Sequence, residues 1–312
     1  MASEGKAELF CRVDFPLYSV AMLGSRHMLV AGGGGAANTG VRNGWEVLEV
    51  VTDGEVVRGE SVARHLTGEF SVYSLAVRTG AAQPLSAVLA AGHGGYCQLY
   101  RLGLERAGPG GGARQRKPSS PGSRVEEARP LQWKVEPGNK VQIDYSSGEP
   151  FGKVSRSHLV HCELHPPVRQ VVRVSPSGKM LGAGGDDGHL RVFSFPDLAR
   201  LHDFATHEKE IDDLDFSPDS NRLCSISKVA CIITLSCRLS SALQDKRAIV
   251  WDVKKGKKHA ELGWESPAGV KYLFKRVKFA CVEGDSKKYK LFTISNPIGS
   301  SKVGRAPRLF TE

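Results

Sequence analysis

The chain has 312 residues, 40% hydrophobic and 24% charged, enough to bury a core of substantial size. Its formal net charge of +10, from 43 Lys and Arg against 33 Asp and Glu, leaves nucleic acid or an anionic membrane open as a partner. No apolar run approaches the roughly 20 residues of a spanning helix, "MASEGKAELFCRV" lacks the basic start and apolar stretch of a secretory signal, and seven irregularly spaced cysteines fit reduced thiols better than a disulfide frame.

In chain order, the first predicted elements are the strands "HMLVAGG" (His27 to Gly33) and "WEVLEV" (Trp45 to Val50), which alternates with period two. Four consecutive glycines and then Asn, Thr, Gly, Arg, Asn and Gly lie in the stretch between them, far more than the two to five residues a hairpin needs. "VLAAGHGGYCQLYRL" (Val88 to Leu102) reads as another strand, turn and strand. Residues 105–130 are a Gly, Pro, Ser and Arg mixture, expected to be a flexible excursion within one domain. Residues 152–170 are a suspected insertion. They hold His158, His161, Cys162 and His165, too closely crowded for a zinc site, which draws on two separated pairs of ligands.

A repeat follows. "SPSGKMLGAGGDDGHLRVF" starts at Ser175 and "SPDSNRLCSISK" at Ser217, 42 residues later, within the roughly 40–45 residue period of WD-repeat blades. Each is preceded by an apolar strand, "VVRV" and "DLDF". His207, Asp212, Asp213, Trp251 and Asp252 are the residues expected to form the structural hydrogen-bond network of a blade. The clustered carboxylates could suggest acid–base catalysis, but tight-turn structural Asp accounts for their spacing. From Ser175 to Phe193 is 18 residues and from Ser217 to Trp251 is 34. Removing residues 229–244 restores the shorter spacing, so that stretch is expected to be an insertion lying outside regular strands. The fold class is therefore all-β, a WD-repeat β-propeller, with residues 1–312 expected to form one incomplete propeller reaching about a fifth blade at "KLFTISNPIG".

The repeat measures the glycine turn. Gly185 to Gly188 spans three residues, whereas Gly33 to Gly44 spans eleven. Consecutive glycines leave φ unrestricted and let carbonyls point the same way, at a high entropic cost. A Walker loop is excluded because no Lys follows, and a dinucleotide fingerprint because Asn38 stands where the third Gly belongs.

"FPLYSVAMLGSRHMLVAGGGGAANTGVRNGWEVLEV" strongly resembles the first blade of the exchange-factor family for the Sar-type small GTPase. The resemblance continues through "LAAGHGGYCQLYRL", "QIDYSSGEPF", "GAGGDDGHLRVFSFPDL", "THEKEIDDLDFSPD" and "DKRAIVWD". It implies a seven-bladed propeller on the cytosolic face of the endoplasmic reticulum, held by a C-terminal membrane helix, that releases GDP from the GTPase recruiting the COPII coat. It also implies a potassium ion in the first-blade loop. The matching ion positions are Gly32, Gly33, Gly34, Gly35, Asn38, Thr39 and Asn43, and the GTPase would meet Gly40, Val41 and Arg42. Carbonyl and amide oxygens suit a monovalent cation, whereas calcium and magnesium sites normally include carboxylates, and this loop has none. The last blades and the membrane helix of the family are not found in these residues, so membrane attachment would need a helix absent from this chain. The rival reading is a WD scaffold or a DNA-binding regulator without exchange activity. The basic residues do not interleave with aromatics as a base-stacking surface would, which makes nucleic acid the less favoured partner.

Overall fold

The computed structural model describes residues 9–35, 40–54, 56–80, 85–106, 131–146, 170–227, 248–262, 272–297 and 306–311. Among them every regular element is a β-strand. Strands β1 (Leu17–Met22), β2 (His27–Gly32), β3 (Gly44–Asp53) and β4 (Val56–Leu66) form the first sheet in that order. The second holds β5 (Ser74–Thr79), β6 (Ser86–His93), β7 (Tyr96–Arg106) and β8 (Leu131–Gln142). β9 (Val171–Val174), β10 (Met180–Gly184), β11 (His189–Ser194) and β12 (Arg200–Ala205) form the third. β13 (Ile211–Phe216), β14 (Arg222–Ser227), β15 (Ala248–Asp252) and β16 (Lys257–Leu262) form the fourth. β17 (Tyr272–Val282), β18 (Asp285–Pro297) and β19 (Ala306–Thr311) make a three-stranded fifth. Each sheet is an antiparallel meander, and together they are blades of a WD β-propeller.

The strand patterns follow from position. Middle strands such as β10 and β15 are packed on both faces and read as buried runs, while the outermost β12 alternates. The core is a series of layers between neighbouring sheets. Leu29, Trp45 and Val47 of the first sheet meet Leu75, Leu89 and Tyr100 of the second. Leu99 and Ile143 meet Leu181 and Phe193, Leu190 and Val192 meet Leu214 and Leu223, and Ile226 and Val250 meet Phe274 and Val277. Each fully buried side chain of this size contributes roughly 1.5–3 kcal/mol.

Side chains also stitch the first strands of successive sheets together, capping N–H groups that no ladder pairs. The Leu75 N–H donates to Ser19 Oγ at 3.1 Å and the Val172 N–H to Ser74 Oγ at 3.1 Å. The Val277 and Phe279 N–H groups donate to the carboxylates of Asp213 and Asp215 at 3.1 and 2.8 Å. Between β9 and β13 the link is Arg173 Nη2 to Asp213, 2.8 Å.

The 42-residue repeat appears as two equivalent turns. Ser175 Oγ accepts from the Met180 N–H at 3.1 Å, and Ser217 Oγ from the Arg222 N–H at 2.8 Å. These Ser-Pro turns lie on one face of the propeller. The turns after β2 and β6 lie on the other, since Val72 and Tyr73, just before β5, donate to the carbonyls of Gly32 and Gly92. One boundary is corrected: Glu105 and Arg106 are strand residues pairing with Gln132 and Leu131, so the expected linker begins after them. The remainder of that linker lies outside the described residues. So does the stretch 229–244, and the flanking hairpin closes in register with Ile226 opposite Ala248. Of residues 152–170 only Gln170 is described, and it is buried.

Candidate functional site

The glycine turn joins two middle strands whose last pair is Gly32 opposite Gly44. Residues 33–43 fill it, against 94–95 and 185–188 in the next two sheets. Its base requires glycine. A Cβ on Gly32 would stand 1.7 Å from the Pro16 carbonyl oxygen, and one on Gly33, at φ 137°, 2.1 Å from Asn43 Oδ1.

Asn43 is 5% exposed and uses its whole amide inside the turn. Oδ1 accepts from the Gly35 N–H at 2.8 Å and from Ser71 Oγ at 3.0 Å. Nδ2 donates to the carbonyls of Gly35 and Gly68, both at 3.0 Å. Two donors and two lone pairs are all that an amide side chain has. The Asn43 side chain is therefore a brace tying Gly35, at the end of the glycine run, to the 67–71 connection. The backbone agrees, since the Thr67 N–H donates to the Asn43 carbonyl at 3.0 Å. Immediately before this buried brace, Gly40, Val41 and Arg42 are all exposed, Val41 at 37%. The rim therefore presents an apolar side chain to solvent from a fixed base. Asn38 and Thr39 lie outside the described residues.

The five residues expected to form a blade network are all buried or half-buried. His207 Nε2 meets Ser225 Oγ at 3.0 Å. Asp213 is 3% exposed and links Arg173 to β17. Burial pushes its carboxyl up, against the opposing pull of Arg173 and the Val277 N–H. Asp212 is half-buried beside it. The Trp251 ring stacks on Phe204, 4.5 Å between centroids, with its indole N–H lacking a hydrogen-bond partner among the described residues. Asp252 accepts from Arg222 Nη1 at 2.6 Å and from the Lys255 N–H at 2.9 Å.

Sequence reasoning missed a second brace on the loop-bearing face. Asp144 accepts from the N–H groups of Asp186 at 2.6 Å and Ser146 at 2.7 Å. Arg191, 3% exposed, binds Asp187 at 2.8 Å and the Ile143 carbonyl at 2.7 Å. Burial alone would raise the Asp187 carboxyl, but Arg191 and the N–H groups of His189 and Tyr145 outweigh it and hold the group below its ordinary value. The "GGDDG" spacing hinted at a turn, but nothing local pointed to Asp144. Among the described residues no cluster of His, Cys, Asp and Glu could hold a metal ion, and His158, His161, Cys162 and His165 lie outside them.

Residues 157–194 and 199–252 match the family "WD domain, G-beta repeat". The "Guanine nucleotide-exchange factor SEC12" of Rattus norvegicus is 27% identical over 304 residues, covering 92% of this chain and 62% of the relative. The Mus musculus protein of the same name gives the same figures. A subunit of chromatin assembly factor 1 from Gallus gallus is 29% identical over 141 residues, covering 40% of this chain and 21% of that protein. Sqt1 from Chaetomium thermophilum, a solved structure, aligns with a TM-score of 0.49 and 12% identity, covering 92% of this chain and 58% of its own. The chain thus carries WD repeats and is distantly homologous to SEC12 exchange factors, spanning 62% of the length of those relatives. No helix among the described residues is long and apolar enough to cross a membrane.

Proposed function

We propose that this chain carries the GTPase-facing part of a guanine nucleotide-exchange factor for a Sar-type small GTPase, which promotes GDP release to start COPII coat assembly at the endoplasmic reticulum. The observation that carries the reading is the extended glycine turn, buried and braced at Asn43 and exposed at Gly40, Val41 and Arg42. Distant homology to SEC12 supplies the family of activity. Exchange needs no covalent chemistry. The factor binds the nucleotide-free GTPase more tightly than the nucleotide-bound one, and by linkage it weakens nucleotide affinity by the same factor. A braced turn delivers Val41 to the partner with little ordering left to do at contact. In this reading a potassium ion takes its oxygens from the turn, the carbonyls of Gly32, Gly33, Gly34 and Gly35 among them. Its chemistry is to stiffen the turn.

The test is release of fluorescent GDP from the GTPase. Deleting residues 38–42 retains Gly35 and Asn43, so the sheet stays folded by circular dichroism while release slows towards its intrinsic rate. Unchanged acceleration by the folded deletion variant would overturn the proposal. A scaffold or DNA-binding regulator is the second reading, favoured by the similarity to a chromatin assembly factor and the +10 charge. It predicts no acceleration even with the loop intact.

A further inference from the structure

A specific, stable protein contact buries roughly 800 Å² on each partner, about 20–30 residues a side. Residues 33–43 fall short of that number, so a GTPase seated on the glycine turn also touches other parts of the loop-bearing face. In the first sheet, Leu17 and Leu66 are exposed at the root of the turn, in register with Gly32 and Gly44. Beyond that sheet the face presents Tyr145, 47% exposed, in the connection from β8 to β9. We infer, resting on the exchange reading, that Tyr145 is a second contact for the same GTPase, an aromatic anchor fixed in place before the encounter.

Backbone hydrogen bonds run from the glycine turn to this residue. Asn43 holds the 67–71 connection, and the next two N–H groups, Val72 and Tyr73, donate to the carbonyls of Gly32 and Gly92. The 94–95 turn thereby stands beside the glycine turn. Its Gly95 carbonyl accepts from the Ile143 and Asp144 N–H groups at 3.0 and 3.1 Å. Tyr145 comes next in the chain, so it shares the face of Val41 across one short turn.

The residue is held from below. Its N–H donates to Asp187 Oδ2 at 3.1 Å, and Asp144 accepts from the Ser146 N–H at 2.7 Å. Arg191 lies over the ring, with Cζ 4.7 Å from its centroid. That guanidinium is itself fixed by Asp187 at 2.8 Å, Asp203 at 3.2 Å and the Ile143 carbonyl at 2.7 Å. A cation stacked on one ring face leaves the aromatic little freedom to lose at contact. Tyrosine is enriched among the residues that dominate interfaces, because it carries a large amphipathic surface at low entropic cost. The equivalent connection into β13 exposes Glu208 and Lys209, and that into β5 exposes Gly68 and Glu69. A tyrosine that only filled the joint between sheets would be buried, as Tyr100 is at 4%.

The test reads two signals from this chain and a Sar-type GTPase: affinity for the nucleotide-free GTPase by biolayer interferometry, and release of fluorescent GDP. Tyr145→Ala should weaken binding about tenfold or more, the loss of an aromatic anchor. Release at sub-saturating chain should slow in proportion, with the thermal melt unmoved. Tyr145→Phe, which keeps the ring, should stay within about twofold of the parent. Leu201→Ala, an exposed apolar change on the outermost β12, should alter neither signal. Should Tyr145→Ala fail to fold, Tyr145→Gln carries the test. Parent-like affinity of a folded Tyr145→Ala or Tyr145→Gln would overturn the anchor, and the exchange reading would stand wherever the parent still accelerates release. A parent that binds without accelerating would overturn the exchange reading alone, with the variants' affinities still deciding Tyr145. A parent that neither binds nor accelerates would overturn both.

Discussion

Replacing Asn43 by Asp changes one atom's chemistry and almost nothing of its shape. Oδ1 keeps its bonds from Gly35 and Ser71, but the former NH₂ position becomes an oxygen facing two carbonyls at 3.0 Å. Two net hydrogen bonds are lost at about 1 kcal/mol each, and the carbonyls and the new carboxylate are left buried without donors at further cost. We expect a loss of about 2–4 kcal/mol at pH 7 in urea unfolding. The new carboxyl should titrate above its unfolded value, because the carbonyls favour the protonated form, which can donate. Its destabilisation should therefore be smallest in acid and grow as pH rises through the raised folded value. Asn43→Ala, which removes all four bonds, should show a loss independent of pH. An Asn43→Asp protein within about 0.5 kcal/mol of the parent at pH 7, the scatter of an ordinary surface change, would refute the bracing role.

Gly188→Ala should cost about 3 kcal/mol or more, because φ is 73° and the Cβ would lie 2.1 Å from the His207 carbonyl oxygen. Gly284→Ala, at φ 79° with open space, should cost only about 1 kcal/mol; equal thermal melts for the two would contradict this. Burial, aided by Lys140, lowers His93 to about 3. The unfolded chain then takes up a proton that the fold refuses, so stability should fall from about pH 6.5 downwards at about 1.4 kcal/mol per unit. An imidazole NMR signal titrating near 6.5 in the folded protein would count against it. Asp187 acts with the same sign at lower pH, a depressed carboxyl whose stabilisation is present above its unfolded value and lost as pH falls through the folded one. Asp187→Asn should flatten that acid limb in urea titrations at pH 2–5, and an unaltered slope would show that Arg191 gives it no preference.

What could be read in advance was what depends on near neighbours. Ser175 and Ser217 announce their turns because each serine binds a backbone five residues on. The alternation of "WEVLEV" gives β3 its identity, and the surplus of residues 33–43 is visible against 185–188. The contacts that organise these parts are not local. Asn43 reaches Gly68 and Ser71, 25 and 28 residues away, so its asparagine looked like one more oxygen donor in a loop rich in them. Ser19, Ser74 and Asp213 bridge 56, 98 and 64 residues. Asp213 meets the Val277 N–H of β17, and His207 meets Ser225, 18 residues on.

The division of labour within the glycine turn bears on its use. Ordering backbone costs about 1–2 kcal/mol per residue, and more for glycine, so a long glycine-rich turn tends to stay unordered unless something holds it. Among the described residues the hold lies at the base: Gly33 on Pro16, Gly35 and Ser71 on Asn43, and Thr67 on the Asn43 carbonyl. None of these bonds reaches the side chains of Val41 or Arg42, which stay at the surface. A turn whose length was merely tolerated would have no use for a buried asparagine spending every donor and acceptor on its footing. A turn that must meet a partner in one pose does, because each bond formed in advance is ordering that contact need not supply. The same reasoning locates sensitivity. Changes at Asn43 or Ser71 should act through the loop's order and the stability of the first sheet together, whereas changes at Val41 should leave the melt untouched and alter only the encounter.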